Sequence, residues 1–299
     1  MKLQSVRLPL FSVLLVAGTM FFSSCKKDKA NDPADPDQQK ALAVVDGDQL
    51  TSQAFNEVFN ISLGVQSSDA GGDIGIGSGQ GIIYRPGGDA GTEGDACFTV
   101  TVTPKVWSEW PKTVTWDFGD GCVGKDGKTR KGKIISVFTA PVFLTGAKVT
   151  TTFEGYQVNG FAISGTQEIE NKSTPNNGLA LSRKITDGRV TNTASGVWHE
   201  IDADIDYAQV AGISTPLNFA DDSYSLSGNI EGSSSYDITW NTETTSPLII
   251  NVGCKWFGKG VLTLHWDKNP TPATLDYGDG ACDNKATLKY KDWTQVINL

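Results

Sequence analysis

From residue 97 to the end of the chain, apolar and polar residues alternate with a period of two. CFTVTVT (97–103), KTVTWDF (112–118), GKIISVFT (132–139), AKVTTTFEGYQV (147–158) and FAISGTQEIE (161–170) are rich in Val, Ile, Thr and aromatic residues. Such runs suit a pleated, half-buried strand. The alternation continues through 188–202 and resumes in 222–232, 235–242, 247–254, 260–266, 272–277, 285–290 and 292–299. About fourteen strands are predicted in all. Short connections make sequential antiparallel pairing the default, and the lack of helices between strands argues against a parallel α/β sheet. Asn-Gly at 159–160 and Asp-Gly at 187–188 read as tight hairpin turns, because both tolerate positive φ. The segment 203–221 breaks the rhythm and divides the strands into two halves, about 97–202 and 222–299. The fold class expected is therefore all-β: a large antiparallel meander, as a sandwich or an open twisted sheet, with one N-terminal amphipathic helix.

That helix is read over 46–68. Leu50, Ala54, Val58 and Ile61 recur at helical spacing, Phe55 and Phe59 widen the stripe, and Asp48 is placed to cap its start. An amphipathic helix packing on the main domain is the expectation. Residues 69–96 are Gly-rich and aperiodic, and read as a long surface loop with no dinucleotide fingerprint.

The N-terminus changes the picture from fold to address. Lys2 and Arg7 precede an apolar run, LPLFSVLLVAGTMFF (8–22), of the length of a signal-peptide core. It ends in FSSC (22–25), which resembles the lipobox of bacterial lipoproteins. The resemblance implies a signal peptide over 1–24 and lipidation at Cys25. Residues 25–45 read as the lipidated cysteine followed by a charged, Pro-containing disordered tether. The Lys-Lys-Asp-Lys start of that tether is similar to the charged segment of surface-exported Bacteroidetes-type lipoproteins, which favours the outer face of the outer membrane. Loss of Lys2 and Arg7 with the signal takes the net charge from −9 to −11. So acidic a chain argues against nucleic acid and against anionic lipid as partners. The membrane would be reached through the acyl anchor instead.

Five cysteines are awkward in an exported protein. Setting Cys25 aside leaves Cys97, Cys122, Cys254 and Cys282, enough for two disulfides in an oxidising compartment. WDFGDGC (116–122) and LDYGDGAC (275–282) put a cysteine behind each Asp-aromatic-Gly-Asp-Gly segment. This repeat favours the pairs Cys97–Cys122 and Cys254–Cys282, with free buried thiols as the alternative. No Cys-x-x-Cys occurs, which argues against zinc or redox chemistry.

The two acidic segments admit three readings. Calcium takes six to eight oxygens, and Asp117, Asp120 and Asp126 cluster in the first copy, Asp276, Asp279 and Asp283 in the second. The spacing fits no EF-hand. A glycosidase pair needs two carboxylates at a set separation, a pattern too general to assign residues here. A turn that ends a strand needs only the glycines, and that reading is preferred. His199 and His265 both sit in strand-like, Trp-flanked stretches, and no Gly-x-Ser-x-Gly or His-Glu-x-x-His is present. No catalytic residue is assigned, no cofactor is expected, and the chain is read as a non-enzyme.

WDFGDG also resembles the signature of polycystin-type (PKD) β-sandwich domains, which would imply a calcium-stabilised adhesion module. CVGKDGKTRKGKI (122–134) departs from that family. A longer resemblance runs through DFGDGCVGKDGKTRKGKI (117–134), TTFEGYQVNGFAISGT (151–166) and LDYGDGACDNKATL (275–288), and covers most of 97–299. It is to an uncharacterised family of Bacteroidetes-type lipoproteins, and implies an exported cell-envelope β protein with no activity attached. The function expected is a lipid-anchored, non-enzymatic binding or structural module for a glycan or protein ligand. A carbohydrate-active hydrolase using an Asp pair is the alternative. Eight tryptophans supply surfaces that could stack on sugars, Trp107 and Trp110 among them.

Overall fold

A computed structural model describes residues 35–62, 98–106, 108–124, 126–215 and 219–299. The signal region, Cys25, the Gly-rich segment, Cys97 and Trp107 lie outside the described residues.

The helix, α1, spans Pro36–Ser62 and starts ten residues before the expected position. Its start is set by Asp35, whose Oδ1 accepts the Asp37 N–H at 2.9 Å, with Pro36 in the first helical position, where its missing donor costs nothing. Residues 36–45, read as tether, therefore belong to the helix. Asp48, read as the cap, lies mid-helix and is buried. The buried positions Ala41, Val44, Val45, Asp48, Thr51, Phe55, Val58, Phe59 and Ser62 form one continuous stripe.

Fourteen strands follow: β1 (Thr99–Thr103), β2 (Lys112–Asp117), β3 (Cys122–Val123), β4 (Thr129–Phe138), β5 (Lys148–Val158), β6 (Phe161–Asn171) and β7 (Ala180–Asn192). Then come β8 (Trp198–Ala211), β9 (Ser223–Ser234), β10 (Thr239–Asn251), β11 (Lys259–Trp266), β12 (Ala273–Asp279), β13 (Lys285–Tyr290) and β14 (Trp293–Asn298). They make one open antiparallel sheet in the order β1, β2, β4 and then in chain order to β14, while β3 pairs with β4 beside the main path. It is a single meander, not a sandwich. Alternate residues of each strand point inward, as in the burial of Lys112, Val114 and Trp116 on β2 or Ala286, Leu288 and Tyr290 on β13.

The inward face is covered by α1. Helix residues reach from β5, where Thr151 Oγ1 meets Ser62, to β13, where Tyr290 Oη donates to Asp37 at 3.1 Å. Phe59 stacks on Tyr207 of β8 with ring centroids 5.5 Å apart. One 27-residue helix, about 40 Å long at 1.5 Å per residue, thus serves as the core for most of the sheet.

Two expectations are corrected. The 203–221 segment does not separate halves, because β8 runs through it to Ala211 and pairs with β9 along its length. Asp187-Gly188 is not a hairpin but a bulge inside β7, where pairing with β8 jumps from Ile185 to Gly188. Asp187 takes φ 51° and its N–H is satisfied by Asp202 Oδ1 at 3.0 Å. The bulge brings Gly188 under the Phe55 ring, where a Cβ would stand 2.9 Å from Phe55 Cζ. The Asn159-Gly160 turn between β5 and β6 is the two-residue hairpin expected, with Val158 opposite Phe161 and φ values of 48° and 81°.

The meander gives the sheet two unlike ends. One carries the short hairpins of β5–β6, β7–β8, β9–β10, β11–β12 and β13–β14, and α1 starts there. The other carries the longer connections 139–147, 172–179, 212–222, 252–258 and 280–284.

Candidate functional site

The two Asp-aromatic-Gly-Asp-Gly segments lie at opposite ends of the sheet, because β2 and β12 run in opposite directions along the meander. Their local structure is nonetheless the same. Asp117 Oδ1 accepts the Gly119 N–H at 2.9 Å, and Asp276 Oδ1 accepts the Gly278 N–H at 2.8 Å. Gly119 and Gly278 take φ of 57° and 92°, a region that costs a side chain dearly. The residue between, Phe118 or Tyr277, turns inward and is buried. Phe118 packs against Phe98 and Tyr156, and Tyr277 meets Phe257 edge-on at 5.5 Å. Each segment is a strand-ending turn that points its aromatic ring into the core.

The six acidic residues of these segments do not come together as ligands. Asp117 lies well below the usual carboxylate range, first through the Gly119 N–H and then through Lys133, 3.4 Å away. Asp126 receives Arg130 Nη1 at 3.0 Å and Nη2 at 2.5 Å, and its carboxyl is held down by that pairing. Asp283 Oδ1 accepts the Lys285 N–H at 3.0 Å, and Asp120 and Asp279 are exposed. Among the described residues no group of three or more His, Cys, Asp or Glu gathers where it could hold a metal ion. The acidic spacing reflects turn chemistry and, at Asp126, an ion-pair network.

That network clamps α1. Glu57 accepts Arg130 Nε at 2.8 Å, Lys128 Nζ at 2.7 Å and Tyr156 Oη at 3.1 Å. Arg130 stays charged: burial opposes its charge, and the Asp126 hydrogen bond and the Glu57 carboxylate outweigh that. Nearby, Arg183 of β7 donates to Asn56 and, at 2.8 Å, to Tyr207 Oη. Sequence reasoning missed the partners that tie the helix to the sheet, which are separated by 71 to 127 positions.

Cys254 and Cys282 form a disulfide between the 252–258 and 280–284 connections. Cys122 is disulfide-bonded as well, and Cys97, the partner expected for it, lies outside the described residues.

The most unusual chemistry is at the centre of α1. Gly47 sits against His199 of β8 and Trp240 of β10, and a Cβ there would stand 2.7 Å from His199 Nδ1 and 3.3 Å from Trp240 Cη2. Asp48 is 7% exposed. Burial pushes its carboxyl up to about 7, although the Trp240 and Thr242 side chains favour the charged form. Neither makes a proper hydrogen bond: Asp48 Oδ1, Trp240 Nε1, Thr242 Oγ1 and His199 Nδ1 are all buried without a partner. Tyr277, from β12, is raised by burial and then by the Asp48 charge, and Asp46 is raised by burial while drawn down by His199. Burial in turn lowers the His199 imidazole, against the pull of Asp46. Buried polar atoms are nearly always paired, so this cluster is the candidate functional site. The sequence signal for it was present but ambiguous: Asp-Gly-Asp at 46–48 reads as a helix start, and VWHEI (197–201) as an ordinary strand.

Comparison with known protein families, curated proteins and solved structures found no match. The other histidine, His265, points outward from β11 and is exposed. Trp110 is half-buried against the core. No helix among the described residues is long and apolar enough to cross a membrane.

Proposed function

We propose that this protein is a lipid-anchored module of the bacterial cell envelope, which binds or scaffolds through the outside of its sheet and carries out no reaction. The observation that carries the reading is the occupation of the inner face: α1 covers it from β5 to β13, and Glu57, Asn56 and Phe59 secure it there. What remains for a glycan or protein ligand is the outer face and the connections. Where the long connections lie, Phe143, Leu144, Val210, Ile213 and Val252 stand exposed, Phe143 to 62%. Exposed apolar residues at one end of a sheet are a reason to look there for the binding surface.

Support for the anchor comes from the charged start, apolar core and Cys25 of the N-terminal segment. With Cys25 lipidated, residues 26–35 would form the link to α1, reaching roughly 35 Å at 3.3–3.6 Å per residue. Metabolic labelling with a clickable fatty acid tests this: label is expected on the wild type and absent from Cys25→Ala. Equal labelling of both would sink the anchor. Protease shaving of intact cells, with a periplasmic protein as leak control, then reports the face. Digestion places the sheet outside, and survival until the outer membrane is broken places it inside. A turnover of any polysaccharide by the purified protein would overturn the non-enzymatic part.

A further inference from the structure

We propose that β1 is a dimerisation edge: two copies of this chain join β1 to β1 across a two-fold axis at Thr101, and the sheet of one molecule continues into the other. The pairing does not depend on the anchor proposed above.

Among the described residues the antiparallel path of strands ends in two free edges, β1 and β14. Thirteen strands lie on that path, and their alternation makes the first and the last run in the same direction. The two edges therefore cannot close on each other as an antiparallel pair. Molecules joined head to tail, with their inner faces on one side, would pair β14 with β1 in parallel, the slightly weaker ladder. A two-fold axis at a single edge restores the antiparallel ladder, with residue i meeting j and j meeting i.

Of the two edges, β1 is the one matched to its own copy. Residues 99–103 read TVTVT, the same in both directions. Centred on Thr101, the pairing sets Thr99 opposite the second copy's Thr103, Val100 opposite Val102 and Thr101 opposite its equivalent. The threonines meet on the outer face, where all three are exposed. The valines meet on the inner face, where Val100 is only half-buried in the single chain and gains cover. Such β-branched cross-strand pairs stabilise a ladder. The strand carries none of the devices that blunt an edge: it has no charge, proline or glycine, and its five-residue register with β2 is unbroken.

The outer surface behind the edge is neutral as well. Thr115 and Ile135 continue the row of Thr101, and Thr113 and Val137 that of Thr103. Behind Thr99 stand Asp117 and Lys133, which pair with each other at 3.4 Å. The axis carries that row onto the neutral Thr103 row of the second copy. A chain of net charge −9 can thus meet itself with no like charges opposed. β14 is also uncharged, but WTQVIN is not symmetric, and the strand lies against the exposed Lys285 and Lys289 of β13.

Five residues a side make a small contact, so association should rise with concentration. Sedimentation of the purified full-length protein in non-ionic detergent, from about 1 µM to about 1 mM, is expected to show monomer passing into dimer. Thr101→Lys sets two ammonium groups face to face at the axis and should weaken the dimer at least about tenfold. Its circular dichroism should match the wild type, because Thr101 is exposed. Oxidative cross-linking reads the register, with the wild type as background. Thr101→Cys should form a linked dimer by itself, whereas Thr99→Cys and Thr103→Cys should link only when the two proteins are mixed. A protein that stays monomeric across the range, a dimer untouched by Thr101→Lys, or equal linking of each cysteine variant alone would overturn the proposal. Should Thr101→Lys fail to fold, the pattern of cysteine cross-links decides it.

Discussion

Removing Glu57 is the sharpest test of what holds the helix to the sheet. The carboxylate is 11% exposed and receives hydrogen bonds from Arg130, Lys128 and Tyr156 at 2.7–3.1 Å. Glu57→Ala strands a guanidinium that is itself only 10% exposed, and a tyrosine hydroxyl beside it. Breaking one partner of a buried ion pair costs about 3–5 kcal/mol. Two details move the figure down. Arg130 keeps both Asp126 contacts, and Lys128 is 41% exposed, so its loss adds little. We expect a loss of about 3 kcal/mol, which in a domain of this size lowers Tm by roughly 6–12 °C. Urea unfolding of wild type, Glu57→Ala, Arg130→Met and the double variant supplies the measurement. The cycle should return a coupling of about 2 kcal/mol between the two positions. A single-variant loss under about 0.5 kcal/mol, the level of an ordinary surface change, would refute the claim that this pair is desolvated and holds the helix.

The remaining expectations follow the same geometry. Asp48→Asn should lower stability relative to wild type most at acid pH. Docked Asp48 titrates near 7 against 3.8 unfolded, so its contribution is full below 3.8 and is lost as pH rises through 7. The difference between the two proteins, from urea unfolding at pH 5 and pH 7.5, should shrink by on the order of 1 kcal/mol per pH unit as pH rises toward 7. Asp117→Ala and Asp276→Ala each remove an Asx-turn acceptor and should lower Tm measurably, whereas the Asn versions keep the oxygen and should melt closer to wild type. Their melting temperatures, like that of the wild type, are expected to be unchanged by millimolar calcium or by chelator. Gly188→Ala should cost at least 1–3 kcal/mol, because its Cβ meets Phe55 and Ile185 and a packed core yields little to an added methyl. Replacing Cys254 and Cys282 together by Ala should lower stability by roughly 3 kcal/mol, read by urea unfolding beside the wild type.

Much of the fold was legible in the chain because its information is local. Period-two alternation marks a strand wherever one face is buried, and here one face always is. Asn159-Gly160 specifies its hairpin through backbone sterics alone, and Cys254 and Cys282 flank one β-hairpin, so topology brings them together. The same local logic failed where a distant group decides the outcome. Asp-Gly at 187–188 has the sterics of a hairpin, but Asp202 across the sheet satisfies Asp187 and Phe55 needs the space over Gly188, so the strand continues through a bulge. Asp-Gly-Asp at 46–48 has the composition of a helix start, yet the sheet buries it in mid-helix, and that burial alone changes Asp48 from a solvated cap into an acid that titrates near 7. The spacing of Asp126 admits calcium as one reading among three, whereas in the fold its carboxylate pairs with Arg130, which also donates to Glu57 of the helix. Sequence by itself determined which residues face inward, since that depends only on the pleat. What they face was decided by tertiary structure: a charge or donor has no fixed role until the fold sets the dielectric around it and the partner within reach.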